Sequence, residues 1–215
     1  MQQQHDCAGT LEQLRTVIIP AAEGSQFNVP RNKFLFLSYT GIADCDAAGG
    51  QFAEADQMYQ KSLKFLPIWP GFNDSAYPRI LCSIGITRLD RADWKGAQEP
   101  LEKADKVFSE LIDKNAGANA ESGSWRSEEI NNLQRTHVTD LDYLAAAYFK
   151  DDRAKDSLAL LERAYAEAKK CCSAQPVLQA IIRDGLAASL MTGDTEAQKL
   201  WTERENIVGN NAPPH

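Results

Sequence analysis

The sequence predicts an all-α fold made of antiparallel helix pairs stacked one on the next. Apolar residues recur at steps of three and four along most of the chain, the spacing of one helix face. The periodic stretches are short and are joined by tight Gly or Asp turns such as Gly49-Gly50 and Gly193-Asp194. Small residues also return at fixed offsets after those turns, as in a repeat. The expected organisation is an N-terminal helix and connector over 1–30, a repeat domain of three to four pairs over 31–207, and a disordered tail over 208–215.

The first helix is expected to be capped by Thr10 with Gln13 as its capping-box partner. Leu11, Leu14, Val17 and Ile18 give it an apolar stripe, Pro20 marks its end, and residues 22 to 30 form a connector. The run Lys33 to Tyr39 could be a buried strand taken alone. Pro30 before it and Ile42, Ala43 and Ala47 after it make 31–48 a helix. Its partner covers 52–66, with Phe52, Ala55, Tyr59, Leu63 and Leu66 on one face. The next pair covers 77–91 and 94–113, with Pro100 in the second turn of the latter, where it costs stability or kinks the helix. A small, polar, mobile stretch over 115–124 precedes a long helix at 126–150 and its partner at 153–171. Helices at 176–191 and 194–207 complete the series.

The repeat is visible in the offsets. Phe52 is followed by Ala55, Tyr59, Ser62 and Pro67; Trp94, Ala97, Leu101 and Ala104 repeat the first three steps, as do Ala154, Ser157, Leu161 and Ala164. Small residues at such positions let two helices approach closely, and a large one after the turn packs across the pair. These residues resemble the tetratricopeptide repeat family, most closely over Gly50 to Pro67. Ile84-Gly85, Leu144-Ala145 and Tyr148 are weaker matches to its first-helix signature. A fourth unit at Gly193-Asp194 and Ala197 is degenerate. The offsets between units run from Ala55 to Ala97, Ser157 and Ala197, each longer than the family period of about 34 residues. The resemblance therefore implies a right-handed superhelix, a TPR-like αα-solenoid with enlarged loops and irregular pitch.

Composition narrows the function. The chain is 43% hydrophobic and 25% charged, an ordinary globular balance, with a net charge of −7. No basic cluster suits it to nucleic acid, and no apolar run reaches the roughly 20 residues of a membrane span. The polar start with its Gln run reads as a chain begun just after a removed targeting segment. Together with five cysteines it favours a periplasmic or secreted location over the cytoplasm. Cys171 and Cys172 are adjacent and pair with each other only under strain. Cys7 with Cys45 is the candidate disulfide, set against the alternative of buried free thiols. Neither a Cys-x-x-Cys nor a His at ligand spacing suggests a metal, and no cofactor is expected.

The family geometry, projected onto this chain, implies a concave groove along the first helix of each pair. It would be lined by Leu37, Thr40 and Asp44, by Cys82, Ile86 and Leu89, by Thr139, Asp142, Ala146 and Phe149, and by Arg183. That mainly apolar surface suits an extended peptide or an amphipathic helix, unless the N-terminal helix fills it. Some family members hold a C-terminal carboxylate with Lys, Asn and Arg. Thr40, Asp44, Ser83, Thr139 and Tyr143 stand in those places, so that mode is not expected. His137 lies on an apolar stripe, where a His is usually a hydrogen-bonded core residue. Ile68, Trp69, Phe72 and Tyr77, and the Trp125-Arg126 pair, either fold back on the core or form an interaction patch. The expected function is a non-enzymatic protein-interaction scaffold of undetermined oligomeric state. The alternatives are an enzyme or small-ligand binder near His137, and a structural subunit of a larger assembly.

Overall fold

The computed structural model describes residues 7–24, 26, 28–66, 72–116, 125–171 and 175–210. All regular structure among them is helical: α1 (Cys7–Gln13), a π-helical segment (Leu14–Ile18), α2 (Ile19–Glu23), α3 (Asn28–Ala48), α4 (Phe52–Leu63), α5 (Phe72–Asp90), α6 (Trp94–Ala116), α7 (Trp125–Lys150), α8 (Ala154–Cys171), α9 (Gln175–Thr192) and α10 (Thr195–Asn210). They group into two compact units, Met1–Pro100 and Leu101–His215. In the first, α3 packs on α2 and α4, and α4 on α5; in the second, α8 lies between α7 and α9, and α10 packs on α9. The expected loop centre at 117–124 and the tail residues 211–215 lie outside the described residues, as do 67–71.

Two expectations near the N-terminus are corrected. Thr10 is not a cap: α1 already begins at Cys7 and Thr10 lies within it. Nor does Pro20 end the helix, which continues to Glu23. Pro20 has no N–H to give the ladder. The register instead widens just ahead of it, where Ile19 N–H donates to the Leu14 carbonyl five residues back. The Thr16 hydroxyl donates to the Glu12 carbonyl at 2.7 Å, occupying an acceptor in the same stretch. α5 also starts earlier than expected, at Phe72, with Pro78 in its second turn.

Pro100 holds the matching place in α6, and here the missing donor has a visible replacement. A residue at 100 would normally donate to the Gly96 carbonyl. The Arg88 guanidinium donates to that carbonyl instead, at 2.7 Å. Arg88 also donates to Asp56 at 3.1 Å, so one side chain ties α5 to α4 and to the first turn of α6.

The turns within pairs share one construction. Gly50, Ala92, Asp152 and Gly193 all have positive φ, between 60° and 76°. Beyond the first three, the N–H groups of Gln51, Asp93 and Arg153 reach back five residues to Asp46, Arg88 and Tyr148 at 2.8–2.9 Å. That is the 6→1 bond of a Schellman ending. At the fourth turn Asp194 Oδ1 accepts from the N–H of Glu196 and Ala197, capping α10.

Three of the pairs carry a small residue on the first helix sixteen positions before a large one on the second: Ala43 and Tyr59, Ala145 and Leu161, Gly185 and Trp201. All six are buried. Ala43, Ala55 and Tyr59 sit in one apolar cluster with Phe36, Ile80 and Ile84. The last pair, degenerate in sequence, carries the most extreme version. A Cβ on Gly185 would lie 2.5 Å from the Trp201 ring.

Gly185→Ala is therefore expected to destabilise the second unit by about 1–3 kcal/mol through overpacking, read as a lower urea midpoint with unchanged slope. Ala92→Gly should shift the midpoint the other way, by up to about 1 kcal/mol. It relieves a side chain held in left-handed backbone.

Candidate functional site

In the first unit, Leu37 and Asp44 are exposed on α3, Thr40 is half-buried there, and Ile86 is half-buried on α5. Cys82 and Leu89, projected onto the groove, are only 4% and 9% exposed and belong to the core. They leave almost no surface to a ligand. Asp44 is engaged by its own unit, since the Tyr59 hydroxyl donates to it at 2.6 Å. Burial, and then the Asp44 carboxylate, push the Tyr59 phenol above its ordinary range.

In the second unit, Thr139 is exposed, with its hydroxyl donating to the Arg135 carbonyl at 3.1 Å. Asp142, Ala146 and Phe149 follow on α7 and are half-buried. Arg183 on α9 is largely exposed and pairs with Asp184 at 2.9 Å. Ala146, Phe149, Lys150, Ser157, Leu161, Asp184 and Ala187 line a cleft of about 210 Å³ bounded by α7, α8 and α9. Phe149 is thus brought into a real concavity, with Asp184 in its wall. Burial, and then the Asp184 charge, raise the Asp142 carboxyl to about 6 against the opposing pull of Arg183.

The buried His137 is the centre of an ion cluster, reaching the surface at Arg163, that sequence periodicity could not assemble. Its Nε2 lies 2.8 Å from Asp105 Oδ1 on α6, and its Nδ1 lies 2.9 Å from Glu167 Oε2 on α8. The second contact is out of line with the ring N–H, an ion pair more than a well-directed hydrogen bond. Arg163 grips Asp105 with two bonds of 3.1 and 2.9 Å. Burial alone would lower the His137 pKa, but Asp105 and Glu167 outweigh it and raise it to about 9. Burial likewise would raise Asp105, yet His137 and Arg163 hold it at about 2. The imidazole is therefore cationic at neutral pH with both nitrogens facing carboxylates, and has no lone pair to act as a base. A cleft of about 280 Å³ beside it is lined by Ser109, Ile112, Asp113, Gln134, His137, Glu167 and Lys170. Among the described residues no group of His, Cys, Asp and Glu could hold a metal ion, and no helix is long and apolar enough to cross a membrane.

Cys7 and Cys45 form a disulfide that joins α1 to α3, with Cα atoms 5.5 Å apart. The Cys82 thiol is buried and is not in a disulfide. Cys171 is disulfide-bonded; the adjacent Cys172 lies outside the described residues. Of the aromatic patch, Tyr77 is 36% exposed. Ile68, Trp69 and the side chains of Phe72, Trp125 and Arg126 lie outside the described residues.

No protein-family model matches the chain, and no curated protein is significantly similar to it. Two crystal structures of a Podosopora anserina putative kinesin light chain with nearly identical TPR-like repeats are similar to it in fold. One, a single-substitution variant, has a TM-score of 0.64 at 16% identity, covering 96% of this chain and 88% of that one. The other has a TM-score of 0.62 at 16% identity, covering 97% and 89%. The chain is thus an α-solenoid of TPR-like helix pairs, as its turn and packing offsets imply.

The His137 cluster carries a pH signature. Its folded pKa of about 9 lies above the ordinary value of 6.5, so its contribution is fully present below that unfolded value. It is lost as pH rises through about 9, where the unfolded state has already released the proton. Urea midpoints at pH 6 and pH 9.5 should differ by up to a few kcal/mol of stability. In His137→Gln that difference should shrink, with the variant less stable at pH 6.

Proposed function

We propose that the chain is a non-enzymatic scaffold that takes a peptide or helical segment of another protein along the first helices of its pairs. A TPR-like α-solenoid is an interaction type of fold, and the turns described inside its pairs are tight Schellman-type or Asp-capped endings. The observation that carries the proposal is the cleft between α7, α8 and α9, which has the half-buried Ala146 and Phe149 in its lining and Asp184 at its wall. Thr139, Asp142 and Arg183 would extend that surface within the second unit. In the first unit, Leu37, Thr40, Asp44 and Ile86 on α3 and α5 would supply a stretch of their own, with Cys82 and Leu89 supporting it from beneath.

The cleft beside His137 is a weaker candidate. Its central imidazole already has two carboxylate partners, so a ligand would compete with an ion network for every polar contact. A structural role in a larger assembly is compatible with the same fold and would show as concentration-dependent mass.

Affinity capture from the source organism's extract tests the scaffold proposal. The native protein is compared with a triple variant, Thr40→Arg, Asp142→Arg and Phe149→Ala, whose melting is checked in parallel. A partner held by the native form and lost by a folded triple variant is the expected result. The same set of proteins on both would remove the first-helix surface from consideration.

A further inference from the structure

Residues 7 to 24 form an arm laid antiparallel along α3. Cys7 is bonded to Cys45, Leu14 faces Gly41, and Glu23 meets Tyr39. The two halves of that arm are held by different means. At α2, Ala22 is buried in a cluster with Leu35 and Tyr39, and Ile19 packs against the same cluster. The Tyr39 hydroxyl donates to Glu23 there at 3.3 Å. Side-chain packing secures this half.

The other half, α1 and the π-helical segment, has no such anchor. Among the described residues from Cys7 to Ile18 none is buried, and Val17 is 62% exposed. Arg15 reaches both oxygens of Asp46 at 3.5 Å, but its own side chain is 55% exposed. A long ion pair with one partner in water holds little. Leu14 lies close to α3 because Gly41 has no side chain; a Cβ there would stand 3.6 Å from Leu14 Cδ1. Against these slight contacts the Cys7–Cys45 bond is the one strong tie. The join between the two halves is itself weak, since the ladder widens there to pass Pro20.

We propose that the Cys7–Cys45 bond is a redox latch whose reduction frees residues 7 to 18 from α3, with the widened turn before Pro20 as the hinge and α2 left in place. Both cysteines are half-buried, so the bond keeps a face toward solvent, unlike the Cys82 thiol at 4% exposure. The reductant is a dithiol. One of its thiolates attacks one sulfur of the bond, and the other cysteine leaves and takes a proton. The second thiol of the reagent then displaces the first cysteine. The protein gains two electrons and two protons as two thiols, and the dithiol becomes a disulfide. Opening adds the Gly41 and Asp46 side of α3 to the surface in contact with water, and the Asp46 side chain, now 1% exposed, becomes hydrated. The latch stands whether or not the first-helix surface binds a partner.

Hydrogen exchange followed by mass spectrometry on the full chain tests it. The native oxidised protein is compared with the same protein in dithiothreitol, its thiols counted by alkylation, and with a Cys7→Ser, Cys45→Ser variant without reductant. Exchange over 7–18 should accelerate by at least about tenfold in both, while α4 and α5 change by less than about twofold. Unchanged exchange over 7–18 with both cysteines shown reduced overturns the proposal, because packing would then hold the arm. So does a segment already unprotected in the oxidised chain. Acceleration of α4 and α5 equal to that of the arm would make the bond a support of the whole unit. Acceleration in dithiothreitol alone, absent from the double variant, would assign the effect to the bond at Cys171. Either result equally overturns the latch.

Discussion

The close approach of two helices within a pair is the constraint on which the rest of the structure depends. In three of the pairs a residue with little or no side chain on the first helix stands sixteen positions before a large one on the second, and the turn between them must then have the right length and a left-handed residue near its apex. Gly185 under Trp201 shows how tight the fit becomes. Once a pair is closed in this way its apolar residues cannot all be satisfied internally, and packing on the next pair follows. Tyr165 meets Trp201 edge-on at 5.8 Å, and Arg204 covers both rings. The last pair is held to its neighbour by stacking and charge together.

Pro20 and Pro100 mark two places where backbone bonding is rearranged. Near Pro20 the helix itself widens; at Pro100 a neighbouring helix lends Arg88. The second solution has a structural cost and a structural use. It commits a cation to a carbonyl, but it also draws Asp56 of α4 into one network with Arg88 and Arg91. A proline that counts as a defect in a helical sequence thus becomes the centre of a junction.

Most of the architecture is legible because it rests on local periodicity. The pairs from α3 to α10 follow from apolar spacing, Gly or Asp turns and the small residues at Ala55, Ala97 and Ser157. What cannot be read depends on partners far apart in the chain. Asp105 and Glu167 lie about thirty residues to either side of His137, so the residue type is a fair guide to a satisfied core position while its charge state is not. Thr10 matches a capping motif, but the helix has already started at Cys7, the residue that is bonded to Cys45. Likewise Cys82 and Leu89 fall on the projected groove by offset, yet both are buried. Offsets identify a helix face only to within the width of one side chain.

The bond between Cys7 and Cys45 also defines a path for mechanical load. Its two ends are 38 residues apart in sequence. Closing a loop of that length limits the unfolded chain by about 4 kcal/mol in the entropic account. Tension applied ahead of Cys7 would pass through the sulfurs directly to the end of α3, leaving α1, α2 and nearly all of α3 slack. While the bond is intact, pulling from the N-terminus cannot peel those helices away in order; the first element to feel the force is the Gly49-Gly50 turn and the α4 helix behind it.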